Sequence, residues 1–394
     1  MPPPPPPPPA PKGKLLAKKK AFVDPFKKRS PPKRFVAPPL PAVNLATPKS
    51  LDTKQRGVRN RALGALFGAS IGDSLGSYIE FLYDDNTPGR PLPALPTAAA
   101  IKKTLTMPGG GTHGVAVGQV TDDTEMACAL ASVLAGRDPR AGFPTAAVRA
   151  AYVAWVKSGP FDLGISTRAA FENMKPSAES QSNGSLMRAS PIAVWARDLP
   201  DAAIGSLARA DAALSHASPI AQLATGAYVI AMAALIRGEK AGVARKRAIA
   251  WLDASGAGAA KLVRSWITST ANVSNANSRV KAGWLKHAFR LAFFHLHKRS
   301  TFRTAVRQTL LTGGDTDTNA CIVGAMIGAR GGFTKLPPAW RAKVLKADTN
   351  LGRPRPTLYH PRRFVTFANG TFRGASASGS KSGSNIGRRS SQKM

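Results

Sequence analysis

The chain has 394 residues, with 56 Lys and Arg against 21 Asp and Glu, a net charge of +35, 43% hydrophobic residues and 2 Cys. Two cysteines exclude a disulfide-stapled secreted scaffold, and the length allows one large domain or two ordinary ones. The charge is uneven: residues 1–59 carry fourteen basic and two acidic residues, 60–348 thirty-three and nineteen, and 349–394 nine and none.

The opening Met and eight prolines lack the apolar stretch of a secretory signal and predict a short polyproline II rod, followed by the basic clusters Lys18–Lys20 and Lys27–Arg29. The expectation is an intracellular protein without membrane contact, monomeric, with nucleus, virion and bacterial cytoplasm undistinguished. Residues 1–59 and 349–394 read as disordered basic tails, the first rich in proline and the second in Gly and Ser. Such tails bind nucleic acid or another polyanion, or are solvated extensions.

Between them, residues 60–348 read as one all-α domain. Helices are predicted over Asn60–Tyr83, Thr124–Ala135, Pro144–Lys157, Leu186–Ala196, Asp201–Ser215, Pro219–Arg237, Ala241–Leu252, Ala259–Thr270, Trp284–His297, Phe302–Leu311 and Thr318–Ala329. The uncharged run Ser218–Ile236 falls short of a bilayer span and reads as a buried helix. Residues Pro88–Gly118, containing Pro93, Pro96, Pro108 and the run Gly109–Gly111, resist assignment; a loop that long in a domain is usually functional or disordered. Cys128 and Cys321 lie in apolar helical runs, where free thiols act as small hydrophobes.

Two places concentrate carboxylates at helix starts: Thr121-Asp122-Asp123-Thr124-Glu125, and Gly313-Gly314-Asp315-Thr316-Asp317-Thr318. One Asp suffices to cap a helix. A second beside it adds repulsion that capping does not require and that a hard divalent cation offsets. Oxygen donors suit Mg²⁺ or Mn²⁺, whereas zinc would call for Cys or His at short spacing.

At these residues the chain resembles the ADP-ribosylglycohydrolase family. The resemblance is carried by Gly64–Gly68 through Gly72-Asp73-Ser74-Leu75-Gly76 to Glu80, by Thr121–Thr124, by Asp162-Leu163-Gly164 with Thr167-Arg168, by Asn183–Arg188 and by Gly313–Thr318, and it covers most of residues 60–348. Ser215-His216 is similar to the family's Thr-His pair with serine in the first place. The resemblance implies two Mg²⁺ or Mn²⁺ ions held by Thr121, Asp122, Asp123, Asp315, Asp317 and Thr318. It implies Glu80, Asp162 and Asp123 as catalytic groups, and Asn183, Gly184, Ser185, Leu186, Met187 and His216 as substrate-binding. The implied activity is hydrolysis of the bond joining ADP-ribose to a protein side chain or related acceptor. A non-catalytic ADP-ribose or polyanion-binding descendant is the alternative, although no metal aspartate is lost.

Overall fold

The computed structural model describes residues 40, 44–82, 94–256, 258–269 and 278–373. They form sixteen helices: α1 (Thr53–Gly76), α2 (Ala98–Thr104), α3 (Asp122–Leu134), α4 (Thr145–Lys157), α5 (Ile165–Phe171), α6 (Gly184–Met187), α7 (Ser190–Trp195), α8 (Asp201–Ala213), α9 (Pro219–Arg237), α10 (Ala241–Ala254), α11 (Gly258–Thr268), α12 (Leu285–His297), α13 (Phe302–Leu310), α14 (Thr316–Gly331), α15 (Pro338–Lys346) and α16 (Arg363–Arg373). Among the described residues no strand forms, and three isolated bridges are the only β pairings. The fold is all-α, as the composition predicts.

The spine is a crossing of α1 and α14. Gly64, Gly68, Gly72 and Gly76 recur every fourth residue and share one face of α1. A methyl group added to Gly68 would lie 2.3 Å from the Gly324 carbonyl oxygen, and one added to Gly72 would lie 2.0 Å from that of Ala320. The facing glycines of α14 are as tight, with Gly328 2.0 Å from the Gly64 oxygen on the same measure. Backbone therefore meets backbone along the whole crossing. The Thr316 hydroxyl donates to the Gly76 carbonyl at 2.8 Å and fixes the axial register. Asp73 is thus set beside Asp317.

Helix α9 is the second core element, buried from Leu223 to Ile236, with Tyr228 donating to the Ile322 carbonyl of α14 at 2.7 Å. It alone among the described helices is long and apolar enough to cross a membrane, and here it packs inside the protein. Cys128 and Cys321 are buried free thiols, as expected.

Three sequence expectations are corrected. Helix α1 begins at Thr53, not Asn60, because Asp52 and Gln55 form a reciprocal capping box. It ends at Gly76 and leaves Glu80 on a turn, where Phe81 has φ 52° and donates its N–H to the Gly314 carbonyl at 3.0 Å. Residues 349–373 belong to the folded domain. Phe364, Val365, Phe367 and Phe372 of α16 are buried in the main core, and Phe364 packs edge-on against Phe67. Composition read this stretch as tail because it holds basic residues with no acidic ones and runs on into the Gly- and Ser-rich end, although the apolar residues of α16 share one helix face. The predicted disorder of residues 1–39 and 374–394 lies outside the described residues.

Candidate active site

The starts of α3 and α14 converge at the Gly76 end of the spine. Thr121 and Asp315, the N-cap residues of the two helices, make no side-chain cap hydrogen bond. Helix α3 is capped instead by Asp73 of α1, which accepts from the N–H of Thr121 at 2.9 Å and of Thr124 at 3.1 Å. Asp73 was legible in the glycine motif, but a carboxylate in mid-helix carries no signal of what it faces. Its two neighbours on α3 are therefore not needed as caps.

Asp123, Asp315 and Asp317 are all brought together, as predicted. The Thr121 hydroxyl lies 3.0 Å from Asp73 Oδ1, 3.0 Å from Asp123 Oδ2 and 3.3 Å from Asp317 Oδ2. It has one proton for three carboxylates, so acceptors outnumber donors. Asp123 Oδ1 and Asp315 Oδ1 are buried without a hydrogen-bond partner. Asp315 Oδ2 accepts from the Asn183 amide at 2.8 Å, and Asp317 Oδ1 accepts from the Thr318 N–H at 2.8 Å. Asp122 is buried beside Asp123 at the start of α3.

Burial, reinforced by neighbouring carboxylates, pushes Asp122, Asp123 and Asp317 well above the usual carboxylate range. Burial also pushes Asp73 up to about 7 against the hydrogen bonds from Thr121 and Thr124. Glu80 rises to about 7 through burial and then the charge of Asp162, opposed by His113. Two sets of carboxylates, Asp73–Asp123–Asp317 and Glu80–Asp315–Asp317, offer oxygens within 4.8 Å of one another. Unpartnered buried oxygens in an all-oxygen set fit a hard divalent cation.

Sequence reasoning missed His113. Its Nε2 lies 2.5 Å from Glu80 Oε2 and 3.6 Å from Asp162 Oδ2. Burial alone would lower its pKa, but the bond to Glu80 raises it. Thr112 donates from its hydroxyl to the Glu80 carbonyl at 2.6 Å, so the unassigned loop grips Glu80 at two atoms. Gly111 makes the grip possible, since a methyl group there would stand 2.5 Å from the Tyr78 backbone. Asp162 does not cap α5, whose N-cap is Gly164.

The Asn183–Met187 turn reaches the cluster only through Asn183. The Ser185 hydroxyl pairs with Thr225 at 3.0 Å, and the side chains of Leu186 and Met187 are buried. The N–H groups of Leu186 and Met187 donate to the Asn183 carbonyl, at 2.8 and 3.1 Å, and are not free for a diphosphate. His216 is fully buried, its ring nitrogens 2.6 Å from Ser182 Oγ and 2.8 Å from Ser215 Oγ. Burial and then Arg188 lower its pKa to about 3, which keeps it neutral. Its ring fits against Gly184, where a methyl group would come within 3.0 Å. Beside this turn opens a cleft of about 590 Å³ lined by Phe81, Gln181, Ser182, Lys281, Ala282, Gly283 and Trp284.

Buried carboxylates converging at two helix starts of an all-helical fold place an all-oxygen donor set at the end of the α1–α14 crossing. The chain belongs to the ADP-ribosylglycohydrolase family, which it matches over residues 54–360. It is 27% identical over 305 residues to the ADP-ribosyl-dinitrogen reductase glycohydrolase of Rhodospirillum rubrum, covering 75% of this chain and 94% of that one. It is 33% identical over 156 residues to the ADP-ribosylarginine hydrolase Tri1 of Pseudomonas putida (strain GB-1), 35% of this chain and 37% of the relative. A solved structure described as an ADP-ribosylglycohydrolase-related protein complex shares the fold with a TM-score of 0.60 and 23% identity, over 81% of this chain and 99% of that chain.

Proposed function

We propose that the protein is a divalent-metal-dependent hydrolase that releases ADP-ribose from a modified arginine side chain. The observation that carries this reading is the surplus of buried carboxylate oxygens, with Asp123 Oδ1 and Asp315 Oδ1 unpartnered and neither N-cap side chain bonded to its own helix. Asp122, Asp123, Asp315 and Asp317, with the hydroxyls of Thr121 and Thr318, would hold two Mg²⁺ or Mn²⁺ ions. Such ions orient ribose hydroxyls, acidify bound water and stabilise charge at the anomeric carbon.

The protein's own groups do the rest. Glu80, with a pKa of about 7 and fixed by His113 and Thr112, accepts the proton of the attacking water. Asp162, 23% exposed at the mouth, faces the departing group. His113 stands between them and can relay a proton. A guanidinium acceptor is cationic, and the carboxylates of Glu80, Asp122 and Asp162 suit it. Trp284 walls the adjoining cleft, with Lys286 Nζ 4.6 Å and Lys281 Nζ 5.8 Å from its ring centroid, and this pairing of an aromatic face with cations suits a base and a diphosphate. The name of the Pseudomonas relative supports the arginine linkage, and that of the Rhodospirillum relative supports an ADP-ribosylated protein as substrate.

The test is ADP-ribose release from arginine-linked, serine-linked, O-acetyl and polymeric substrates, each with Mg²⁺, Mn²⁺ or EDTA. Metal-dependent cleavage of the arginine linkage is expected. Cleavage of only another linkage, or none, would overturn the arginine assignment.

A further inference from the structure

The charge of the folded domain is one-sided. Residues 122–253 carry fourteen Lys and Arg against twelve Asp and Glu, whereas residues 254–348 carry fifteen against three Asp. Two of those three, Asp315 and Asp317, are buried in the carboxylate cluster; only Asp348, at the end of the stretch, reaches the surface.

The helices of that second stretch form a continuous band. Helix α11 meets α12 through Trp266 and Trp284, whose ring centroids are 6.2 Å apart. A short turn through Lys298–Thr301 joins α12 to α13, and both pack on α14. Phe302 at the start of α13 contacts Trp340 of α15 at 6.3 Å, and the Arg303 guanidinium lies 4.5 Å from the same indole. Trp340 donates its indole N–H to the Leu105 carbonyl at 2.8 Å, which adds the end of α2 with Lys102 and Lys103. Lys298, Arg303, Arg307 and Lys346 are exposed on this band, and none forms an ion pair with a carboxylate among the described residues. On α9 and α10, by contrast, Arg237 and Arg247 are neutralised by Asp201 and Glu239.

We propose that the band of α12, α13 and α15, flanked by α11 and α2, is a docking surface for the phosphate backbone of duplex nucleic acid. A protein partner would call for exposed aromatic or apolar anchors and few lysines. None of the exposed large apolar side chains lies on α12, α13 or α15; Leu262 of α11 and Val117 with Leu351, in the cleft next to α15, are exposed beside the band. Lys and Arg with a single exposed carboxylate, Asp348, beside them suit a row of phosphates, and they supply affinity through counterion release without reading sequence. The band belongs to the folded domain and is separate from the basic ends of the chain. It does not depend on the hydrolase reading.

The test is binding of the full chain to a duplex DNA of random sequence across a salt titration. A band variant, Lys298→Glu, Arg303→Glu, Arg307→Glu and Lys346→Glu combined, is compared with a control of equal charge change outside the band, Lys157→Glu, Lys175→Glu, Arg209→Glu and Lys240→Glu. The band variant is expected to lose at least tenfold in affinity near 0.1 M salt, and its salt slope to fall by about 3.6, near 0.9 for each of the four phosphates no longer neutralised. The control is expected to lose less than about threefold at an unchanged slope. Melting curves check the fold, and the four glutamine replacements at the band positions stand in if reversal unfolds the chain. Equal losses in both variants would mean that only bulk charge matters, and no loss in either would assign binding to the chain ends; each overturns the proposal. Band-dependent binding to poly(ADP-ribose) or an acidic protein without duplex binding would overturn it too.

Discussion

At the residue scale the central matter is how a carboxylate is kept where its neighbours repel it. Glu80 shares its surroundings with Asp162, Asp315 and Asp317, and the countering contacts come from His113 and Thr112. His113→Ala is expected to lower kcat about 10²-fold, as a displacement of about 1 Å at a reacting group does, with KM little changed. His113→Gln, which keeps a donor, should recover part of the loss. In a Glu80→Gln background His113→Ala should add nothing, because the group it positions is gone. Multiplying losses in that double variant would show that His113 acts by another route. Sequence alone revealed the paired aspartates, since two carboxylates at each of two helix starts exceed what capping needs. It did not reveal His113, which lies in a loop with no periodicity, nor that Ser185, Leu186 and Met187 turn into the core. Side-chain direction in a four-residue helix depends on the tertiary partner, here Thr225 for Ser185.

At the element scale two contacts hold the site together. The first is the glycine-lined crossing of α1 and α14. Gly72→Ala places a methyl group against rigid backbone 2.0 Å away. The loss expected is about 1–3 kcal/mol, by overpacking. Gly370→Ala in α16, where nothing lies within 4 Å, should instead gain about 0.5–1 kcal/mol from helix propensity. Chemical denaturation of the two variants checks the pair, and equal effects would contradict the crossing.

The second contact is Arg355, buried against Glu125 of α3 at 2.6 Å, with Trp155 donating to the same carboxylate at 2.8 Å. Arg355→Ala leaves that carboxylate buried without its cation, at a cost of about 3–5 kcal/mol. Ending the chain at residue 348 should abolish cooperative unfolding, and ending it at 373 should not; a stable 1–348 fragment would refute the assignment of this segment to the domain. Most long helices were readable from apolar periodicity. Two failures share a cause: Arg188, placed inside a single helix Leu186–Ala196, instead turns inward to Asp211 at 3.0 Å and separates α6 from α7, while Arg355 passed for tail charge. A buried arginine looks like a surface one until its carboxylate partner is known.

At the scale of the whole molecule the carboxylate cluster links stability to pH and metal. Unfolded carboxylates release their protons near pH 4. Asp73 and Glu80, pushed up to about 7, keep theirs in the folded chain, so the stability they give below pH 4 is lost as pH rises through about 7. In EDTA the melting temperature is therefore expected to fall between about pH 5 and pH 8. Millimolar Mg²⁺ or Mn²⁺ should raise it, most strongly at the upper end, because a ligand that binds only the folded state stabilises it. A melting temperature that rises with pH in EDTA and ignores metal would leave the cluster without its electrostatic role.

The most direct test of the central claim is the rate of ADP-ribose release from an arginine-linked substrate by the full chain, titrated with Mg²⁺ and Mn²⁺, for the native sequence and for Asp123→Asn and Asp315→Asn. The expected result is a rate that saturates with metal, vanishes in EDTA and falls at least about 10²-fold in either variant, the order expected when a charge-stabilising group is removed, while helical content stays the same. Undiminished release in EDTA, or by both variants, would contradict it.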